Sequence, residues 1–300
     1  MALVPFDDRD GWIWLDGAFV PWRDAKLHVL SHALHYASAV FEGERCYAGN
    51  IFKLREHTER LIASGRLLGF EIPWDVATID AACIEALARN NLTEAYVRPI
   101  AWRGPEEMGV AAKATKVHMA IAVWQWGAYF GVEQRMKGIR LTMAKWRRPA
   151  PDTAPTASKA AGLYMIGTLS KHHAEAEGFD DALMLDWKGD ISEATGANVF
   201  MVIDGQLHTP TPINFLDGIT RRTVMALARK RQIQVVERTI PQADLKQATE
   251  VFLAGTAAEV TPVRQIGDQG FTPGQITETL LTDYEALVRM SPAEVARIAA

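Results

Sequence analysis

Hairpin signals interleaved with amphipathic helical segments predict an α/β chain of mixed α+β character. Three observations carry that class. Asp16-Gly17 and Asp204-Gly205 each separate two apolar runs, the strongest short-range hairpin signal. The run LMLDWKGDISEA repeats the pattern with a longer turn around Lys188-Gly189. Helical patterns alternate with these strands, but not in the regular order of a parallel βαβ sheet.

The elements follow in order. WIWLDGAFVPW reads as the first hairpin. AVFEGERCY reads as one strand, with Phe41, Gly43, Arg45 and Tyr47 on one face and Glu42 and Glu44 on the other. Residues 54–69 carry Leu54, Leu61 and Leu68 at heptad spacing and stop at Gly69, predicting a helix. Residues 77–90 are Ala-rich and amphipathic and stop at an Asn pair. AYVRPIAW predicts a strand with Tyr96, Arg98, Ile100 and Trp102 on one face, and VHMAIAVW (117–124) a buried strand. Residues 220–231 follow Gly218 and end on three basic residues, which suit a helix C-terminus. EVFLAG reads as a strand. Ile276, Leu280, Tyr284 and Leu287 mark one helix face, and Ser291-Pro292-Ala293-Glu294 reads as a capping box with Pro at its first helical position.

The segment most like a linker is 124–138, rich in Gly and aromatics. It divides a small α/β domain over 1–124 from a larger domain over 138–300, with 125–137 as the interdomain loop. The chain has 300 residues, is 48% hydrophobic and carries a formal net charge of -4. That length buries a sizeable core, and that balance gives no support for nucleic-acid binding. Two cysteines make no disulfide framework and stand in no metal-ligand spacing. MALVPFDDRD lacks the basic and apolar regions of a signal peptide, and no apolar run approaches a bilayer span. A cytoplasmic protein acting on small molecules, without membrane partners, is the expectation.

Lys159 lies among small residues in PTASKAAGLY, which leave space beside its amine. A free lysine amine has a pKa of about 10.4, and burial or a nearby cation lowers it and frees a nucleophile. The same residue reads equally as a surface lysine in an Ala-rich loop. Glu193, in ISEATGANVF, is a carboxylate at a strand end, suited to a cofactor ring nitrogen or simply to solvent. Gly218 precedes a helix start, so the N–H groups of Ile219 and Thr220 are orphan donors for an anion. Gly255, Thr256 and Ala257 form a second small-residue turn that can take a phosphate or a carboxylate. Arg60 adds a guanidinium, or else pairs with Glu56 on the helix surface.

Nine segments now bear jointly on identity: HALHYASAVFEGERCY, EHTERL, AYVRP, MGV, WGAY, APTASKAAGLY, ISEATGANVF, GITR and GTAAEVTPV. In this order and at these separations the chain resembles the fold type IV pyridoxal 5'-phosphate-dependent aminotransferases, most closely the bacterial branched-chain amino acid aminotransferases. The resemblance covers nearly the whole chain. It implies two domains with the cofactor at their interface. It implies Lys159 as Schiff-base lysine and proton shuttle, Glu193 at the pyridine nitrogen and Tyr164 at the phenolic oxygen. Arg60, Gly218, Ile219, Thr220 and Thr256 would form the phosphate site. Tyr96 and Arg98, with the backbone at Thr256 and Ala257, would take the substrate carboxylate. Tyr36, Phe41 and Trp126 would wall the side-chain pocket, and Met108 and Val110 would reach a partner subunit's site. A homodimer or an assembly of dimers is implied. So is ping-pong transfer from leucine, isoleucine or valine to 2-oxoglutarate.

Two departures bear on substrate preference. Residues 102–116 carry Arg103, Glu106 and Glu107 near the expected pocket rim, and Glu44 stands where an apolar residue is usual. Relatives on this fold act on D-amino acids or (R)-amines, or as lyases on aminodeoxychorismate. The Tyr96-x-Arg98 pattern favours the branched-chain reading.

Overall fold

The computed structural model describes residues 4–127 and 135–298 and divides into two units. One comprises Met1–Gly127 with Ser158–Gly162, the other Ala128–Ala157 with Leu163–Ala300. Part of the expected interdomain loop, 128–134, and with it the second half of the WGAY motif, lies outside the described residues. Among the described residues no helix is long and apolar enough to cross a membrane.

In the first unit, β1 (Trp12–Leu15) and β2 (Ala18–Pro21) meet at the Asp16-Gly17 turn. Both turn residues have positive φ, 49° and 96°, as a two-residue hairpin turn requires. α1 (His32–Tyr36), β3 (Ala39–Phe41), β4 (Glu44–Tyr47) and β5 (Asn50–Ile51) follow. α2 (Leu54–Leu67) ends at Gly69, whose φ of 75° favours glycine. α3 (Val76–Arg89) is capped by Asp75, which accepts from Thr78 N at 2.8 Å. Asn90 then ties the end of α3 to β1, accepting from Trp12 N at 2.9 Å. β6 (Ala95–Arg103) and β7 (Val117–Gln125) form the long central hairpin, Ala95 opposite Gln125 and Arg103 opposite Val117. The sheet order is β2-β1-β7-β6-β4-β5, with β3 also on β6.

The single strand expected over AVFEGERCY is two, interrupted at Glu42-Gly43. Register is kept across the gap: Phe41 faces Ile100 and Glu44 faces Val97. A Cβ at Gly43 would lie 1.9 Å from the Tyr96 hydroxyl, so only glycine admits that tyrosine. The alternation therefore survives. Val40, Cys46, Val97, Ala101, Met119, Ile121 and Val123 point to a core shared with Leu61, Ile79 and Leu87 of α2 and α3.

In the second unit the strands are β8 (Ile139–Met143), β9 (Asp181–Leu185), β10 (Ile191–Ala194), β11 (Asn198–Ile203), β12 (Gln206–Pro210), β13 (Val235–Arg238), β14 (Glu250–Gly255), β15 (Glu259–Ile266) and β16 (Gln269–Gly270). Pairing runs β10-β9-β8-β15-β14-β11 and returns from β11 to β10, closing a ring around an apolar interior that includes Leu141, Leu183, Val199, Met201, Val251 and Val263. Closure leaves no open edge within the ring. The Asp204-Gly205 hairpin forms with φ of 49° and 72°. In the longer turn, Asp186 Oδ1 accepts from the N–H groups of Lys188, Gly189 and Asp190 at 2.8–2.9 Å.

The helices here are α4 (Met165–Ala176), α5 (Ile219–Lys230), α6 (Gln275–Leu287) and α7 (Pro292–Ile298). α6 is capped from the sheet: Glu250 Oε2 accepts from Thr277 N at 2.8 Å. In the capping box, Glu294 Oε2 accepts from Ser291 N at 3.0 Å. α1, β8, α4 and β13 carry no hairpin or periodic signal strong enough to predict them.

Candidate active site

Lys159 sits on a short segment laid along the free side of β3. Val40 bridges Ala160, and Phe41 N donates to Lys159 O at 3.1 Å. Ser64 of α2 holds the segment from the other side. Its hydroxyl accepts from Lys159 N at 3.0 Å and its carbonyl from Ser158 Oγ at 3.1 Å. Gly162 packs closely, since a Cβ there would lie 3.0 Å from Ala37 Cβ and would press the two segments apart by a few tenths of an ångström. The half-buried amine is 5.1 Å from the centre of the Phe41 ring.

Glu56, the carboxylate one turn before Arg60, bridges to Lys53 at 2.9 Å. Arg60 makes a two-pronged pair with Glu42: Nε to Oε1 at 2.7 Å and Nη2 to Oε2 at 2.8 Å. His57 Nδ1 meets the same Oε2 at 2.7 Å. Burial opposes a charge on Glu42, but Arg60 and His57 outweigh it and hold the carboxyl well below the usual carboxylate range. Burial also pulls His57 below the ordinary imidazole value. Alternation left Glu42 and Glu44 as residues merely facing away. They are instead fully buried in the core.

The opposite sheet face is aromatic. The Arg98 guanidinium lies 4.8, 5.2 and 6.0 Å from the ring centres of Phe41, Tyr96 and Trp124. Its Nη2 donates to the Tyr96 hydroxyl at 3.3 Å. Its Nε is buried with no hydrogen-bond partner among the described residues, as is Trp124 Nε1. Tyr96 and Trp126 rings lie 5.2 Å apart. Tyr36 is exposed and stacks on His32 at 4.5 Å. Met108 and Val110 are exposed beside Gly109. The charges of 102–116 have partners inside and outside that loop: Arg103 Nη1 donates to Ala112 O and its Nη2 to Gly69 O, Glu107 accepts from Ala114 N, and Glu106 accepts from Lys116 N and meets His118.

In the second unit, Glu193 is paired across the β10–β11 ladder with Asn198. Its carboxylate faces Arg148 Nε at 3.2 Å and accepts from Asn198 Nδ2 at 3.3 Å. Asn198 also reaches the helix start, because a Cβ at Gly218 would lie 2.2 Å from Asn198 Oδ1. Gly218 caps α5 without a side-chain hydrogen bond, and Ile219 and Thr220 behind it are buried. Arg221 anchors that start, meeting Asp217 Oδ1 at 2.8 Å and Glu237 Oε2 at 2.6 Å. Gly255 packs on the neighbouring turn, its missing Cβ 3.2 Å from Ala197 Cβ, and Thr256 and Ala257 turn the chain into β15. Tyr164 ends a short 3-10 turn and opens α4. Sequence reasoning missed Glu42, His57, Ser64, Arg148 and Asn198. EHTERL and ATGAN held the only hints, a histidine and an asparagine beside residues already singled out.

A family model described as Amino-transferase class IV matches residues 39–266. The chain belongs to this family. It is 41% identical over 288 residues to the branched-chain-amino-acid aminotransferase of Pseudomonas aeruginosa, covering 94% of each chain. It is similar to the solved T.th. branched-chain amino acid aminotransferase with pyridoxamine 5'-phosphate, with a TM-score of 0.92, 38% identity and coverage of 97% and 98%. The same enzyme complexed with N-(5'-phosphopyridoxyl)-L-glutamate gives a TM-score of 0.91 at 36% identity, with the same coverage. The class IV match spans Arg60, Lys159, Glu193, Gly218 and Thr256 alike.

Proposed function

We propose that the chain is a pyridoxal 5'-phosphate-dependent transaminase that moves the amino group of leucine, isoleucine or valine to 2-oxoglutarate in two half-reactions. The observation that carries this reading is the end-to-end likeness to the P. aeruginosa branched-chain enzyme. When bound, the cofactor supplies an electron-accepting ring that acidifies the substrate α C–H.

The chain's residues suit that group. Glu193 offers a negative charge to a ring nitrogen, and the Arg148 guanidinium beside it favours the charged form while Asn198 orients it. The start of α5, uncapped by any side chain, offers the N–H groups of Ile219 and Thr220 to a phosphate, with Thr256 and Arg60 assisting. Tyr164 binds the phenolic oxygen. Lys159 holds the cofactor between turnovers and, once released, removes the proton from the substrate Cα. Arg98, with a buried Nε still to be satisfied, and Tyr96 take the substrate carboxylate together with the turn at Thr256-Ala257. Phe41, Tyr36 and Trp126 receive the apolar side chain. Met108 and Val110, exposed here, complete the site of a partner in a homodimer or an assembly of dimers. A cytoplasmic location and a division into domains at 125–137 complete the reading.

The test is a half-reaction. Protein loaded with pyridoxal phosphate should show an absorption band that leucine or valine shifts, with 2-oxoglutarate restoring it. Lys159→Ala should lose at least about a thousandfold in turnover, the scale of a missing nucleophile and base. A borohydride-fixed cofactor on Lys159→Ala would sink the assignment. Half-reactions with D-amino acids or (R)-amines alone, or pyruvate release without an acceptor, would point to the other activities of this fold.

A further inference from the structure

The loop joining β6 to β7, residues 104–116, is tied down at its base by one histidine. His118 Nδ1 meets Asp16 Oδ2 at 2.6 Å and its Nε2 meets Glu106 Oε1 at 3.1 Å. The Trp102 ring stacks on the imidazole at 5.7 Å. Gly104 makes room for this arrangement, since a Cβ there would lie 2.4 Å from His118 Nε2 and 2.6 Å from Glu106 Oε2. Glu106 in turn accepts from Lys116 N at 3.0 Å, and Gly104 N donates to Lys116 O at 2.9 Å. The tip is held separately, through His32 Nε2 and Gly109 O at 2.9 Å. Met108 and Val110 flank that tip.

We propose that Asp16, His118 and Glu106 form a proton-dependent clamp on residues 104–116, making His118 a positioning residue for the substrate side chain. The substrate half of this rests on the reading of Met108 and Val110 given above.

The chemistry follows from the two acceptors. Carboxylates on both ring nitrogens require both nitrogens to donate, which only the imidazolium does. Four charged groups bear on the ring or line the cleft beside it: Asp16 of the first hairpin, Glu106 of the loop, and Glu71 and Lys116 of the cleft. Burial works against the charge on His118, but Asp16 and Glu106 overcome it and raise its pKa above the ordinary value of 6.5. A raised histidine pKa puts the full clamp below the unfolded value and removes it as pH rises through the folded one. Both carboxylates are held by a backbone donor, Asp16 by Met119 N at 2.9 Å and Glu106 by Lys116 N at 3.0 Å, so the shorter His118 contact, 2.6 Å to Asp16, is the one the neutral ring keeps, and the 3.1 Å bond to Glu106 is the one released.

The experiment uses the cofactor-loaded enzyme. KM and kcat for L-leucine are measured against pH in wild type, His118→Phe, Gly104→Ala and Glu106→Gln, with loop exchange, taken as the protection of amides 104–116 relative to their intrinsic rate at each pH, followed alongside. Wild-type KM should rise about fivefold through the His118 titration with little change in kcat, the scale of one partly exposed ion pair. His118→Phe, which keeps the ring stack, should show the high KM and fast loop exchange at every pH. Glu106→Gln, which keeps an acceptor, should retain part of the low KM that wild type shows at low pH. Loop exchange that ignores pH in wild type, or a wild-type KM profile in both His118→Phe and Gly104→Ala, overturns the clamp. Wild type that transaminates no amino acid, with loop exchange still pH-dependent, overturns the functional reading instead, and the substrate role of His118 with it.

Discussion

Glu42 and Glu44 stand two residues apart, on one face of the first unit's sheet, and neither is exposed to solvent. Their pKa values nevertheless move in opposite directions. Around Glu42, a guanidinium and an imidazole supply hydrogen bonds and favour the charged carboxylate. Around Glu44, neither carboxyl oxygen finds a hydrogen-bond partner among the described residues. Burial, with the nearby charges of Glu42 and Asp80, pushes its pKa well above the usual range, against a smaller opposing pull from Arg60. Burial alone therefore does not decide charge; the partners within reach do. The first neighbourhood shapes a candidate anion site at Arg60. The second is a cost carried inside the core.

The largest effect expected from this contrast is at Glu42. Glu42→Ala takes the shared carboxylate from Arg60 and His57, and should cost about 3–5 kcal/mol in denaturant unfolding, the range for a broken buried ion pair. An unchanged midpoint would mean that solvent replaces the carboxylate freely. Glu44→Leu should act in the opposite direction, stabilising the fold by about 1–3 kcal/mol because an unsatisfied buried group is removed. Its pH signature is separate. A folded carboxyl with a raised pKa contributes stability below its unfolded value, about 4.3, and loses it as pH rises. Glu44→Leu should therefore flatten the decline of unfolding free energy above about pH 4.3, read from urea titrations across pH. A wild-type slope that survives in the variant would assign it to another group. The smallest effect is at His57, where substitution by Gln keeps a donor toward Glu42 and should cost about 1 kcal/mol.

Much of the fold was legible because local chemistry wrote it. The Asp-Gly turns specify positive φ at two successive residues, and both hairpins form with that geometry. The helices at 54–67, 76–89 and 219–230 follow apolar spacing and Gly or Asn stops within a residue or two of expectation. α1, β8, α4 and β13 were not legible, because their stability comes from neighbours rather than from their own pattern. The site divides the same way. Lys159, Glu193 and the Gly218 helix start stand in motifs that carry a strong resemblance. Arg60 was legible as a cation, but its pairing with Glu42, 18 residues away, was not, because packing rather than helix spacing brings the two together.

Residue order alone thus settled the mixed α/β class, the hairpins, most helix limits and the class IV motifs. These depend on backbone conformation and short-range spacing, which a one-dimensional pattern records. Tertiary structure decided which charges meet: Glu42 with Arg60 and His57, Arg148 and Asn198 with Glu193, Asp16 and Glu106 with His118. It also decided that Glu44 meets no hydrogen-bond partner among the described residues. Such pairings join groups that register and packing bring together from distant points in the chain. Coulomb and desolvation energies depend on those separations in space, not on separation in sequence.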